Sequence, residues 1–292
     1  MCKKSDIRII NFAAEEKEDG IDVGTLLRHR GVSKRLITKL KRTQNGIMLN
    51  GLHIRTIDTV KTGDIISLSM SDERRLDANC EIKVPVVYED DDVVVFDKPV
   101  DMPVHPSIKH QGDTLGNCFS AMYPDLTFRP VNRLDKDTSG LCAVAKNAHA
   151  ANLLQGTLKK VYYAAVCGKL TQGGRIDAPI GRSGDSIIKR EVRSDGQRAI
   201  TEYTIIKGNE DYTLLRVLLH TGRTHQIRVH FSHIGYPLAG DDFYGGSVKD
   251  ITHQALHCGE LEFTSPVTGE KISVISPLRE DIEAICNRFV TF

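Results

Sequence analysis

The segment NRLDKDTSGL, residues 132–141, joins a polar loop to the apolar run at 141–145. Asp, Thr, Ser and Gly at this density are typical of a tight loop whose side chains hydrogen-bond to its own backbone. The loop places Asp135 where the chain enters a sheet, so that its carboxylate can project into a cleft. A structural turn ahead of a strand would explain the same residues, so the function of the segment depends on what surrounds it.

Outward from this loop, short runs rich in β-branched residues occupy most of the chain. They predict strands at 84–88, 93–96, 141–145, 161–166, 199–206, 212–219 and 226–229, with a helix at 148–158. Many short strands and few helices favour an α+β fold. We therefore expect a mixed, largely antiparallel central sheet.

The composition is that of a globular protein without a membrane span. The chain has 292 residues, 40% of them hydrophobic and 26% charged, which suits one large domain and a small one. It has no run of about 18 apolar residues, and its first residues lack the apolar core of a signal peptide. Seven cysteines without a CxxC pair indicate a reduced protein, and we expect a cytoplasmic location.

Positive charge is concentrated near the N-terminus. The formal net charge is only +1, yet residues 20–75 hold 11 Lys or Arg against 5 Asp or Glu. This asymmetry describes a basic module attached to a mildly acidic body. A basic surface of this kind either faces solvent or binds a polyanion.

Two short helices are predicted in the basic module. Residues 22–30 form the first, which Gly31 ends, and Ser33 can cap the second. Leu36, Ile37 and Leu40 share one face of the second helix. The cations lie mostly on the rest of its surface, at Lys34, Arg35, Lys39, Lys41 and Arg42.

A small sheet follows these helices. Gly46 ends the second helix, the Asn50-Gly51 pair predicts a tight turn, and residues 65–70 predict a strand. The stretches SKRLITKLKRTQNGIMLNG (33–51) and KTGDIISL (61–68) resemble an S4 RNA-binding domain. The resemblance covers roughly residues 20–70 and implies that the cations of the second helix bind RNA. We expect an N-terminal extension with an S4-like α/β module at 1–72, a polar linker at 73–81 and the body at 82–292.

A second chemical constellation is TGRTHQIRVH, residues 221–230. Read as a strand over 224–230, it puts Gln226, Arg228 and His230 on one face and His225, Ile227 and Val229 on the other. An arginine close to Asp135 would favour the ionised carboxylate. A surface arginine paired with any acid remains an alternative for this segment alone.

Several pieces in this order resemble the RluA/RluD family of pseudouridine synthases. They are RLDKDTSGL (133–141), KKVYYAAVCG (159–168), DAPIGRS (177–183), TGRTHQIRVHFSHIGYPLAGDDFYGG (221–246) and ALHCGELEFTSP (255–266). The resemblance runs from about residue 82 to 279, and members of the family often carry an S4 domain in front. One departure is Asn132, where the family commonly has histidine.

The resemblance implies an enzyme that isomerises uridines in ribosomal or transfer RNA. Such an enzyme breaks the N1–C1′ bond, rotates the uracil and rejoins it through C5. Asp135 would be the essential carboxylate, Arg228 its partner, and Tyr162 would stack on the uracil. Arg133 would fill the space that the extruded base leaves, and Arg223 would contact RNA. We expect no nucleotide cofactor and no metal, since the reaction is redox-neutral and no Rossmann or P-loop signature is present. A monomer is the expected state.

Three other interpretations fit parts of the chain. Asp135-Lys136-Asp137-Thr138 also approximates the DxDxT signature of magnesium-dependent phosphatases of the haloacid dehalogenase type, with Thr138 one position early and with Asp241 and Asp242 as metal-binding acids. That chemistry requires a buried apolar strand before the first aspartate, whereas residues 130–134 are half polar. A catalytically inactive S4-type RNA-binding protein is a second alternative. A metal site from His225, His230 and His233 is a third, disfavoured because strand alternation would separate the first two.

Overall fold

The computed structural model describes residues 8–70, 76–184 and 186–287. The first residues of the expected linker, through residue 75, lie outside these ranges. Residues 76–85 contain no helix or strand, and the next strand begins at Val86.

The N-terminal module consists of two short helices on a small antiparallel sheet. In chain order its elements are β1 (Arg8–Ala13), α1 (Val23–His29), α2 (Lys34–Leu40), β2 (Ile47–Leu49), β3 (Leu52–His53) and β4 (Ile65–Met70). Within the described residues, the strand order is β1-β4-β2-β3. The module has its own apolar core, to which both helices contribute.

Local sequence explains these elements. The Asp22 carboxylate accepts a hydrogen bond from the Thr25 N–H at 2.9 Å, and the Ser33 hydroxyl accepts one from the Leu36 N–H at 3.2 Å, so each helix begins at a side-chain cap. Asn50 and Gly51 have φ angles of 49° and 82°, as a two-residue hairpin turn of the I′ type requires. The apolar face of α2 is buried as predicted.

The body contains the remaining elements. They are β5 (Val86–Glu89), β6 (Val93–Lys98), α3 (Leu115–Met122), β7 (Ser139–Ala145), α4 (Ala148–Thr157), β8 (Lys159–Cys167), β9 (Gly174–Asp177), β10 (Ile180–Arg182), β11 (Arg190–Val192), β12 (Ile200–Gly208), β13 (Tyr212–Leu219), α5 (Gln226–His233), β14 (Leu256–Thr264), β15 (Lys271–Ile275) and α6 (Glu280–Asn287).

One large sheet organises the body. Among the described strands its order is β5-β6-β7-β14-β8-β13-β12-β9, with β15 paired to β14. Within that part of the chain, β7 and β14 form the one parallel pair, and every other pairing of the sheet is antiparallel. The α+β fold with a mixed, largely antiparallel sheet is therefore confirmed.

The strand predicted at 226–229 was wrong, because this segment is the start of α5. His225 adopts the left-handed conformation, with φ 56° and ψ 21°, and turns the chain into the helix. Ile227 and Phe231, one helical turn apart, are both buried. The apolar residues 227 and 229 imitate strand alternation over a short window, and only the inclusion of Phe231 reveals the helical spacing.

The N-terminal module lies against α4 of the body. The Asn152 amide donates a hydrogen bond to the Gly31 carbonyl at 3.1 Å, and the rings of Phe12 and His149 meet edge to face at 5.8 Å. Gly31 has φ 75°, and a Cβ there would lie 2.6 Å from Leu153 Cδ2. Glycine at this position thus both ends α1 and allows the close approach of the two parts.

Candidate active site

A cleft of about 500 Å³ opens on one side of the body, beside the loop that precedes β7. Asp135 lies in its wall, and a small recess continuous with it holds Asp135, Tyr162 and Arg228 together. These three side chains come from the loop before β7, from β8 and from α5. Segments far apart in the sequence therefore converge on one carboxylate.

The loop that carries Asp135 is held by hydrogen bonds at both ends. The Thr138 N–H donates to the Asp135 carbonyl at 3.1 Å, which closes a turn. The Gln254 amide donates to the Thr138 hydroxyl at 2.5 Å. Both Thr138 and Gln254 are buried, so the loop is anchored to the body rather than free in solvent.

Lys98, at the end of β6, joins the Asp135 loop to the loop that follows β6. Its ammonium donates to the carbonyls of Pro99, Met102 and Lys136, at 2.7, 2.8 and 3.0 Å. The side chain is only 1% exposed, and burial lowers the pKa of Lys98 to about 8. All three N–H donors of the charged form are satisfied, so Lys98 fixes the backbone one residue after Asp135.

Arg228 bridges two carboxylates. One guanidinium nitrogen donates to Asp135 Oδ2 at 3.0 Å, while Nε and the other terminal nitrogen donate to the two oxygens of Asp241 at 2.6 and 2.8 Å. Burial alone would lower the pKa of Arg228, but the hydrogen bonds and charges of Asp241 and Asp135 outweigh it and raise the pKa. Arg228 thus stays charged and rigid beside Asp135.

The bidentate contact fixes the guanidinium plane before any substrate arrives. Asp241 is 1% exposed at its side chain. Gly240 precedes it with φ 76°, and a Cβ at Gly240 would lie 2.1 Å from the His253 carbonyl oxygen, so this turn requires glycine. The Tyr244 ring packs against the guanidinium, with 4.9 Å between Arg228 Cζ and the ring centroid.

Tyr162 contributes a buried aromatic ring to the cleft. It is 6% exposed, and β8 places it next to Cys258 of β14. Burial, followed by the neighbouring Cys258, raises the pKa of Tyr162 well above its usual value. The phenol is therefore neutral across the ordinary pH range.

His225 lies between Asp135 and an aromatic pair. Its Nε2 is 3.8 Å from Asp135 Oδ2, and its Nδ1 is 2.8 Å from the Tyr244 hydroxyl. The ring also meets the ring of Phe243 edge to face at 6.3 Å. Burial, which outweighs the opposing charge of Asp135, lowers the pKa of His225.

Asn132 is a structural residue of this site. Its amide donates to the Leu141 carbonyl at 3.0 Å, and its side-chain oxygen accepts from the Ala143 N–H at 2.8 Å. The side chain is buried and faces the backbone of β7. Asparagine at this position therefore ties the start of the Asp135 loop to the strand.

The cations predicted to bind RNA fall into two groups. Arg133 and Arg223 are exposed and line the cleft. The other group lies on the surface of α2 and just after it, where all members are exposed: Lys34, Arg35, Lys39, Lys41 and Arg42. Of these, Arg35 and Lys39 line a separate groove between α2 and the body, and the structure brings none of the group to the cleft.

Sequence reasoning missed Lys98, His225, Asp241 and Tyr244 as parts of the site. Asp241 had appeared only as an imitation of a metal-binding acid, whereas the structure pairs it with Arg228. The Gly240-Asp241 pair marks a turn in the sequence, but nothing local shows that this carboxylate is buried against Arg228. The strand reading of 224–230 concealed His225.

His225 and His230, two of the three histidines considered for a metal site, are held by ordinary hydrogen bonds. His230 reaches the Thr201 hydroxyl at 2.8 Å and the Ala178 carbonyl at 2.9 Å. The argument from strand alternation was wrong because His225 directly precedes α5 and His230 lies within that helix. Within the described ranges, no group of three or more His, Cys, Asp or Glu side chains is arranged to hold a metal ion. No helix in the same ranges is long and apolar enough to cross a membrane.

Comparisons with known proteins identify the family of the chain. Residues 92–233 match the family model described as RNA pseudouridylate synthase. The chain is 38% identical to an uncharacterised RNA pseudouridine synthase of Bacillus subtilis, YjbO, over 87% of this chain and 94% of that protein. It is 39% identical to ribosomal large subunit pseudouridine synthase D of Pseudomonas aeruginosa, over 80% and 81%. Human RNA pseudouridylate synthase domain containing 1 superposes with a TM-score of 0.56 at 26% identity, over 67% of this chain and 83% of that one. The chain therefore belongs to the RluD-like family of RNA pseudouridine synthases, enzymes that isomerise uridines in RNA.

Proposed function

We propose that this enzyme modifies uridines of large-subunit ribosomal RNA and that Asp135 is its essential carboxylate. The observation that carries the assignment is the 3.0 Å contact between Arg228 and Asp135 in a cleft shared with Tyr162. The relative from Pseudomonas aeruginosa, named for the large ribosomal subunit, supports the substrate class. Transfer RNA is the alternative substrate.

In this proposal Asp135 begins the reaction. In one route its carboxylate bonds to the sugar or the base and is released again before the product leaves. In another it removes a sugar proton, which starts an elimination to a glycal, and returns that proton to the sugar when C5 joins C1′. In both routes the N1–C1′ bond breaks, the uracil rotates, and C5 joins C1′ before the C5 proton leaves. Arg228 holds the carboxylate in one orientation throughout, because Asp241 fixes the guanidinium from behind.

Tyr162 acts as a stacking platform in this proposal. The phenol is buried and its raised pKa disfavours the phenolate, so it is a poor base for the C5 proton. A neutral ring in the cleft wall suits a flipped uracil, which loses its stacking partners on leaving the helix. Arg133, exposed at the rim, would fill the vacated space in the RNA.

The N-terminal module would supply phosphate contacts as an S4-like RNA-binding domain. Arg35 and Lys39 line a groove of about 450 Å³ against Arg129 and Gln155 of the body. Gln155 also lines the catalytic cleft, so the two concavities adjoin. One RNA strand can therefore pass from α2 to Asp135 along a cationic path.

We further propose that the enzyme works as a monomer in the cytoplasm. Asp135, Tyr162 and Arg228 of the same chain already meet in one recess, which supports the first part. Light scattering of the purified protein, with and without RNA, tests the first part. A stable dimer would contradict it.

The decisive experiment compares Asp135→Asn with Asp137→Asn on purified ribosomal and transfer RNA. The two substitutions remove the same charge from the same loop, two residues apart. Asp135→Asn should form no pseudouridine yet still bind RNA, whereas Asp137→Asn should remain active. Pseudouridine formed by Asp135→Asn would refute the catalytic assignment, and modification of transfer RNA alone would refute the substrate class.

A further inference from the structure

The Tyr244 hydroxyl is a junction with two neighbours. It accepts a hydrogen bond from the Arg190 backbone N–H at 3.1 Å and lies 2.8 Å from His225 Nδ1. Tyr244 is only 7% exposed, so its own proton also needs an acceptor. Among the described residues, His225 Nδ1 is the acceptor within hydrogen-bond distance.

The hydrogen bonds of the Tyr244 hydroxyl determine which nitrogen of His225 carries the proton. If Nδ1 were protonated, it and the Arg190 N–H would both donate to one phenolic oxygen, and the buried phenol proton would have no partner. Such an unpaired buried donor is strongly unfavourable. Nδ1 is therefore the acceptor, and the proton of the neutral ring is on Nε2.

The Nε2–H of His225 faces Asp135 but makes no hydrogen bond to it. Its distance of 3.8 Å from Asp135 Oδ2 is too long for a hydrogen bond. The His225 side chain is 12% exposed and lines the cleft beside Asp135. An oxygen of a nucleotide seated against Asp135 would lie within its reach.

We infer that His225 is a catalytic residue, which donates a hydrogen bond from Nε2 to a uracil carbonyl of the flipped nucleotide. This inference rests on the proposed role of Asp135. When the N1–C1′ bond breaks, its electron pair goes to N1 and spreads onto O2 and O4 of the departing uracil. The Nε2–H stabilises that charge while keeping its proton, so the ring returns unchanged when C5 joins C1′.

The surroundings of His225 maintain this state. The charged groups that face it are Asp135, Asp241, Arg228 and Arg190. Burial and the two arginines oppose protonation, and they lower its pKa despite the two carboxylates. A neutral donor suits the task, because it binds the leaving uracil without protonating it at a carbonyl.

The left-handed backbone at His225 allows a matched set of variants. Gly and Asn both tolerate φ 56°, so His225→Gly and His225→Asn remove the imidazole without straining the turn. Each should lower kcat by about 10²–10³-fold, the typical effect of losing one such donor, with RNA affinity close to wild type. The melting temperature should fall, because the buried Tyr244 phenol loses its acceptor, and kcat is therefore measured well below it. Imidazole added to His225→Gly should restore part of kcat.

Sulfur-substituted substrates identify the accepting atom. RNA with 2-thiouridine or 4-thiouridine at the target weakens one carbonyl acceptor at a time. The ratio of wild-type kcat to His225→Asn kcat should be smaller on one of the two thio-substrates than on unmodified RNA, and unchanged on the other. Tyr244→Phe should lower kcat less than His225→Asn. It removes the hydroxyl that keeps the His225 proton on Nε2, but it leaves the imidazole in place.

Three results would overturn the inference. They are a kcat for His225→Asn within about twofold of wild type, a loss confined to KM, and a full penalty on both thio-substrates. If Asp135→Asn is inactive while His225→Asn is normal, only the role of His225 fails. If Asp135→Asn forms pseudouridine, the proposed function itself fails.

Discussion

Arg228 and Asp241 form a bidentate ion pair, with nitrogen–oxygen distances of 2.6 and 2.8 Å, directly behind Asp135. The Asp241 side chain is 1% exposed and that of Arg228 is 10% exposed, so the pair is almost entirely removed from water. A guanidinium held from two sides cannot rotate away from Asp135. The orientation of the Asp135 carboxylate thus depends on a residue that does not line the cleft.

Asp241→Asn should therefore impair both stability and turnover. It leaves a buried guanidinium without its main counter-charge, and breaking a buried pair costs about 3–5 kcal/mol. Denaturant unfolding and single-turnover kinetics would measure the two losses. Asp242→Asn is the matched control, because this neighbour is exposed and surface changes stay within about 0.5 kcal/mol. Equal effects of the two variants would show that the Arg228–Asp241 ion pair does not orient Asp135.

Lys98→Met should destabilise the protein by an amount that grows with pH. The pKa of Lys98 is about 8 in the fold against 10.5 for the free group, because burial disfavours its charge. Between these values the unfolded chain binds more protons, so the wild type gains stability as pH rises from about 8 to 10.5. The variant lacks this gain.

The difference in unfolding free energy between wild type and Lys98→Met should widen by on the order of 3 kcal/mol over that range. At neutral pH the variant should already be less stable, since three buried carbonyls lose their donor. Comparing the two proteins at each pH cancels the titration of the groups they share. A difference that stays constant with pH would refute the buried, perturbed lysine.

Sequence and structure agree where an element is set by adjacent residues, and they differ where it is set by contacts between distant segments or where the local pattern is ambiguous. The helix that begins at Asp22, the second helix with its Ser33 cap and the Asn50-Gly51 turn follow from short-range chemistry, and they form close to where they are predicted. The segment after His225 was misread because Ile227 and Val229 imitate strand alternation and the left-handed entry falls on a residue other than glycine. Asp241 was missed because its partner Arg228 is brought to it only by the fold.

Asn132 should be replaceable by the family's usual histidine without loss of the reaction. The structure uses Asn132 to bind the Leu141 carbonyl and the Ala143 N–H, and neither contact touches the cleft chemistry. Asn132→His should keep kcat within a few-fold, whereas Asn132→Ala should lose about 1–3 kcal/mol of stability from the unpaired backbone groups. Thermal unfolding and rate measurements on both variants test this. An inactive but stable Asn132→Ala would instead place Asn132 in the chemistry.

The groove between α2 and the body should make RNA affinity depend on salt. Arg35 and Lys39 line it, and removing one cation that binds a phosphate should reduce the slope of log affinity against log salt by roughly 1. The double variant Arg35→Ala, Lys39→Ala should therefore bind long ribosomal fragments with a slope lower by about 2. Turnover of a short stem-loop that fills only the cleft should be unchanged, because Asp135 and its partners are untouched.

Lys271→Ala, an exposed lysine on β15 that lines neither concavity, is the control and should leave the slope as it is. A slope unaltered by the double variant would show that RNA does not follow the groove, whereas slow turnover of the short stem-loop would show that the module acts on the catalytic cleft itself.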